Sequence, residues 1–158
     1  MLIHLIRHAH AGPRRAWAGP DDQRPLSERG QAQAAVIDRA LADAEITLLW
    51  SSRFVRCVET LDPLAHRRGL TVATTAELTE GGSGADALDA LLAAAAEGHT
   101  LAACSHGDVI PAVVAAAVGR GATLDGPASP SKAARYELTV DRGQVTHLAH
   151  VPAPDGRD

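Results

Sequence analysis

Apolar residues recur along this chain in two alternating rhythms. Short, mostly apolar runs at 2–7, 46–50, 70–74 and 100–105 have the length and composition of strands, the first of them buried. Between them lie segments with apolar positions at helical spacing. One covers 29–43 behind Ser27 as an N-cap, a second 54–68 with Gly69 as its stop, a third 85–97 ending at Gly98, and a fourth 107–118 with Pro111 in its first turn. Pro63 is expected to kink the second helix or open a new turn in it. Residues 136–140 and 144–150 alternate around Asp141-Arg142-Gly143, a hairpin signal. Segments 11–25 and 119–131 are rich in turn-forming residues and read as loops, and 152–158 reads as a frayed, flexible tail.

Strands alternating with helices predict an α/β fold. The expected architecture is a three-layer sandwich with a mostly parallel central sheet, helices on both faces and an antiparallel C-terminal edge hairpin. A chain of 158 residues with no internal repeat and no long linker fits one domain, over 1–151. Aromatic residues make up only 3%, so Ala, Leu and Val must fill the core. The formal charge of −4 argues against a broad surface for a nucleic acid polymer but leaves room for a local basic pocket. Cys57 and Cys104 lie in apolar surroundings without a CxxC pair, the pattern of buried thiols in a reducing compartment. No run reaches membrane-spanning length, and the first residues are too short and polar for a signal peptide, so no membrane partner and a cytoplasmic location are expected.

Active sites in open α/β sheets gather at the carboxyl ends of strands. Three predicted strand ends carry suitable polar residues: Arg7-His8, Ser51-Ser52 with Arg56 four residues on, and Ser105-His106-Gly107. Two arginines and two histidines meeting at one edge would suit a dianionic phosphoryl group, because a guanidinium fork binds two phosphate oxygens at once. Arg56 would also sit in the first turn of a helix, where free amides favour an anion.

The same residues carry a family resemblance. The run from Leu5 to Ala11, Leu-Ile-Arg-His-Ala-His-Ala, resembles the Arg-His signature of the histidine phosphatase superfamily, phosphoglycerate mutase-like, and its Ala9 resembles the SixA-type branch. Arg24-Pro25-Leu26-Ser27-Glu28 resembles the segment leading into the family's first helix, and the block from Ser51 to Thr60 its second motif, with Arg53 where proline is more usual. Leu78-Thr79-Glu80 falls where the family places its acid, and Ser105-His106-Gly107 is similar to the second-histidine block. More narrowly, the chain is similar to the C-terminal phosphatase half of actinobacterial MutT-type Nudix proteins, and it contains no Nudix box.

The resemblance implies a metal-independent phosphatase, a hydrolase of phosphoric monoesters or phosphoramidates that works through a phosphohistidine on His8 and needs no metal or organic cofactor. In it, Arg7, Arg56 and His106 would hold the phosphoryl oxygens, and nearby arginines would keep His8 neutral. Glu80 would serve as general acid and then base, with Glu77 as the alternative. Candidate substrate-binding residues are His10, Arg15, Arg24, Ser52 and Lys132. The substrate is either a protein phosphohistidine or a nucleoside di- or triphosphate, and a functional link to a separate Nudix hydrolase is implied. Two other readings compete. One is a non-catalytic phosphate-binding partner module, against which the presence of both histidines and both arginines argues. The other is a metal site of His4, His8 and His10, which leaves the arginines unexplained.

Overall fold

The computed structural model describes residues 1–155. Strands β1 (Leu2–Arg7), β2 (Leu48–Ser51), β3 (Val72–Thr74), β4 (Leu101–Ser105), β5 (Thr123–Asp125), β6 (Arg135–Asp141) and β7 (Gln144–Val151) form one sheet in the order β3-β2-β4-β1-β6-β7-β5. Pairing is parallel from β3 through β2 and β4 to β1, and antiparallel from β1 through β6 to β7. Among the described residues four α-helices complete the sandwich: α1 (Glu28–Ala40), α2 (Val55–Arg68), α3 (Gly84–Ala96) and α4 (Val109–Gly119).

Strict alternation along the central strands builds two cores. Ile3, Leu5, Leu101 and Ala103 face α3 and α4, while Ile6, Ala102 and Cys104 face α1 and α2. β4 is buried at every residue, which is why it reads as a continuous apolar run. Ser27 caps α1 by accepting from Gly30 N at 3.1 Å. α1 packs so tightly on the exit of β1 that a Cβ at Gly30 would lie 1.9 Å from the His10 carbonyl oxygen.

The predicted elements are all present, with three differences. α2 runs through Pro63 as one helix, because its buried face is held by the sheet and α1 on both sides of the lost hydrogen bond. The segment predicted as a loop at 119–131 contains β5, a three-residue strand that adds in parallel outside β7. Residues 152–155 of the expected tail lie on α1, with Ala153 buried and Asp155 accepting from Arg29 and Gln33. The rest of that tail, 156–158, lies outside the described residues. The β6–β7 turn has Arg142 and Gly143 at φ of 51° and 77°, the left-handed pair that a two-residue hairpin requires. Among the described residues no helix is long and apolar enough to cross a membrane.

Candidate active site

Register brings three strand ends level. Arg7 pairs with Ser105 and Ser51 with Cys104. Backbone bonds of 3.0 Å from His8 N to Ser105 O and from Ser52 N to Cys104 O extend the alignment one residue further. Ala9 N then donates to Thr60 Oγ1, tying the exit of β1 to α2. Over this edge lies a cavity of about 530 Å³ bordered by His8. Among the described residues its lining holds five cations, Arg7, Arg14, Arg24, Arg56 and Lys132, against two carboxylates, Glu80 and Asp108.

His8 is 5% exposed. Its Nδ1 lies 2.9 Å from the Ala9 carbonyl oxygen. A carbonyl only accepts, so Nδ1 carries the proton and Nε2 keeps its lone pair. Burial lowers the His8 pKa to about 3, with the charges of Arg56, His106 and Arg7 adding to it and the Ala9 bond opposing. The ring is therefore neutral at physiological pH, and desolvation contributes more to this than either arginine does.

The guanidinium of Arg7 donates from Nη1 to Pro130 O at 2.8 Å. It passes directly over Gly107, where a Cβ would come within 2.7 Å of Arg7 Cζ. Arg56 is almost fully buried in the first turn of α2, whose N-cap Phe54 makes no side-chain cap. It donates to Asp21 O at 2.9 Å and Asp21 Oδ2 at 3.2 Å, and lies 3.6 Å from Glu80. Asp21 also takes Arg24 at 3.1 Å and Arg14 at 3.2 Å. Burial pushes the Asp21 carboxyl up, but the Arg24 hydrogen bond and the three arginine charges outweigh it and hold it below its ordinary value. Asp21 is thus the hub that aligns three of the five cations. Burial, followed by the positive charge of Arg7, Arg24, Arg29 and Arg56, lowers the pKa of Lys132.

His106 stands edge-on behind His8, with ring centroids 5.5 Å apart, and against Phe54 at 4.7 Å. Its Nε2 meets Ser52 Oγ at 2.8 Å and lies 3.6 Å from Cys57 Sγ. Its Nδ1 is buried without a protein partner among the described residues. Cys57 and Cys104 are both free and fully buried behind this ring.

Of the two candidate acids, only Glu80 lines the cavity. Glu77 is exposed and accepts from the Thr75 hydroxyl, which together with its own backbone amide holds its carboxyl below the usual value. The segment carrying Glu80 is pinned from the second-histidine block at two points. Ser105 Oγ donates to Leu78 O at 2.6 Å, and Gly81 N donates to Asp108 Oδ2 at 2.8 Å. Asp108 spends its other oxygen on Val109 N, so it acts as a clamp and helix cap.

The remaining candidates divide. Arg24 and Lys132 border the cavity. Ser52 lies behind His106 and supports that ring rather than forming the cavity wall. The His10 Nδ1 meets Ser27 Oγ at 2.7 Å, which joins β1 to the α1 cap and leaves His10 out of the lining. Arg15 is exposed and also outside it, and its neighbour Arg14 takes that place. Arg14 and Asp21 were not singled out from the sequence, where both lie in a loop without periodicity. His4 is buried in the middle of β1, and among the described residues no three His, Cys, Asp or Glu side chains gather as metal ligands would.

A neutral imidazole with one free ring nitrogen, facing several guanidinium groups and a pinned carboxyl, can accept a phosphoryl group and stabilise its charge as it transfers. Known proteins resemble the chain in sequence and in fold. The chain is 29% identical over 156 residues to the 8-oxo-(d)GTP phosphatase of Mycolicibacterium smegmatis, covering 97% of this chain and 48% of that protein. It therefore spans about half the length of that curated relative. Among solved structures, the protein histidine phosphatase SixA complexed with tungstate superposes with a TM-score of 0.79 at 22% identity, over 98% of both chains. The α-ribazole phosphatase of Shigella flexneri gives 0.68 at 17% identity, over 92% of this chain and 94% of that one. Residues 3–86, more than half of the sequence, match branch 1 of the histidine phosphatase superfamily, and the chain belongs to that superfamily.

Proposed function

We propose that the protein is a phosphatase that transfers a phosphoryl group to His8 Nε2 and then to water, acting on a nucleoside di- or triphosphate. The observation that carries this reading is the neutral His8, fixed in one tautomer by Ala9 O, at a cavity with five cations. In the first step, Nε2 attacks phosphorus while the bond to the leaving oxygen breaks. Arg7 and Arg56, which line the cavity, take the equatorial oxygens, and His106, buried behind His8 and outside the lining, would offer its unpartnered Nδ1 to the same group. Glu80, at the cavity and 3.6 Å from Arg56, delivers a proton to the leaving oxygen. In the second step Glu80 takes a proton from water, which attacks the phosphohistidine and frees His8.

A polyanionic substrate suits the placement of the cations: beyond Arg7 and Arg56, the side chains of Arg14, Arg24 and Lys132 border the same cavity as contacts for further phosphates. The likeness to an 8-oxo-(d)GTP phosphatase over nearly the whole chain supports the same choice. A phosphohistidine on a protein loop is the second reading, favoured by the exposed rim at Arg14 and Glu80, whose side chains are 63% and 37% accessible.

The test is phosphate release in excess EDTA by wild type and His8→Ala, using ATP, GTP, ADP, a phosphohistidine peptide and p-nitrophenyl phosphate. The account expects release by the wild type alone, fastest on the nucleotides. Fastest release from the peptide would move the substrate to the second reading. Absence of release from every substrate would leave a phosphate-binding partner module, and equal release by both proteins would exclude His8 as nucleophile.

A further inference from the structure

We propose that the loop face carrying Trp17 is the subsite for the base of a nucleotide whose phosphates lie at His8. This deepens the nucleotide reading above and rests on it. The chain is poor in aromatic residues, with two Trp, one Tyr and one Phe. Among the described residues Trp17 is the one aromatic side chain in the set of exposed large apolar residues, at 38%.

Its position is defined. The indole Nε1 donates to Pro20 O at 2.9 Å, and Gly19 packs so closely on the ring that a Cβ there would come within 3.1 Å of Nε1. A ring held in this way loses little freedom when a ligand stacks on it. Trp17 borders a cavity of about 200 Å³ together with Ala16, Pro25 and Leu26. That cavity shares Gly12, Pro13 and Arg24 with the phosphate cavity, so the two adjoin across those residues. Arg14, three residues before Trp17, reaches Glu80 at 3.4 Å, which places the loop on the side where a leaving group would depart.

Another cavity, of about 450 Å³, also borders Glu80, but its walls include Thr74, Thr75, Thr79, Gly81 and Gly82 and offer no ring. A planar base with a polyphosphate tail matches this pair of adjoining cavities in chemistry and order, with the apolar platform at Trp17, Arg24 where the two meet and the arginine cluster at the reacting phosphorus. Base stacking on an aromatic side chain tolerates different bases, so the subsite admits purines generally.

The experiment compares ATP with inorganic tripolyphosphate, which has the same anionic tail and no nucleoside. The readout is the ratio of kcat/KM for ATP to kcat/KM for tripolyphosphate. Trp17→Ala is expected to lower this ratio about tenfold, within the range for losing one base–aromatic stack, and Trp17→Phe to restore most of it. Binding is read separately in the His8→Ala protein, where ATP should quench tryptophan emission saturably and the added Trp17→Phe change should abolish the quench. A ratio within twofold of wild type in Trp17→Ala overturns the proposal, and so does a quench that survives Trp17→Phe and therefore reports Trp50. Wild-type release from tripolyphosphate or p-nitrophenyl phosphate but not from ATP would overturn this subsite while leaving the His8 phosphatase intact. Absence of His8-dependent release from every substrate would overturn the phosphatase reading itself.

Discussion

Replacing Gly107 with Ala separates the stability of this protein from its activity. The added Cβ would lie 2.7 Å from Arg7 Cζ, 2.8 Å from Nη2 and 3.0 Å from Nε. Nonbonded carbon atoms settle at about 3.5–4.0 Å, so the guanidinium must retreat by about 1 Å. The atoms that give way are the far end of a flexible side chain, and Gly107 lies outside the positive-φ glycines, so the backbone accepts Ala. The stability cost should stay below about 1 kcal/mol, a fall in Tm of roughly 2–4 °C for a chain of this size. The catalytic cost is larger, because a misplacement of about 1 Å in a positioning group can cost about a hundredfold in rate. We therefore expect kcat/KM for ATP to fall about a hundredfold while the melting curve stays nearly in place. The double variant Gly107→Ala/Arg7→Ala should be no slower than Arg7→Ala alone, since both changes act through one guanidinium. Activity of Gly107→Ala within threefold of wild type, or additive losses in the double variant, would refute this reasoning.

Other consequences are as direct. Glu80→Gln should slow an alkyl phosphomonoester about 10²–10⁴-fold, the usual worth of a positioned acid, but slow p-nitrophenyl phosphate far less because its leaving group needs little help. Equal losses on the two esters would remove Glu80 as the acid. Ser105→Ala and Asp108→Ala, which release the Leu78 and Gly81 pins, should reproduce part of that leaving-group dependence, while a uniform loss would point to general unfolding of the site. Burial first, then Arg56, His106 and Arg7, lowers the His8 pKa to about 3 from 6.5. Between those values the unfolded chain binds a proton that the folded one does not, so stability is full above pH 6.5 and is lost as pH falls toward 3. The contribution between pH 6.5 and 5 is about 1–2 kcal/mol, read as the difference in urea-unfolding free energy between wild type and His8→Ala at the two pH values. A gap between the two proteins that does not change with pH would contradict the buried neutral ring.

The sheet was legible because its central strands are buried on both faces. The run 101–104 has no polar position to interrupt it, and it ends where Ser105-His106 begins. β5 was not legible because Thr123 and Asp125 are exposed and Leu124 half-buried, leaving no pattern beyond the edge of the hairpin. The same distinction holds in the site. Arg7, His8, Arg56 and His106 sit at element ends, where spacing fixes their place. Arg14 and Arg15 are neighbours in one loop, and only the turn at Arg14–Ala16 decides which reaches Asp21 and Glu80. Asp21 had no sequence signal as a hub, because its importance lies in three arginines that converge from β2–α2 and from its own loop. Ser52 and His10 were placed at the correct edge, but their hydrogen bonds turn them to supporting roles behind the cavity wall.

The most direct test of the account is to trap phosphoryl on His8. Wild type and His8→Ala would be mixed with γ-³²P-labelled ATP in EDTA, quenched in alkali within milliseconds, and the labelled peptide identified by mass spectrometry. The account predicts label that survives alkali, is lost in acid, maps to His8 and is absent from His8→Ala. Phosphate release by the wild type without any label on His8, or label that persists in His8→Ala, would contradict it.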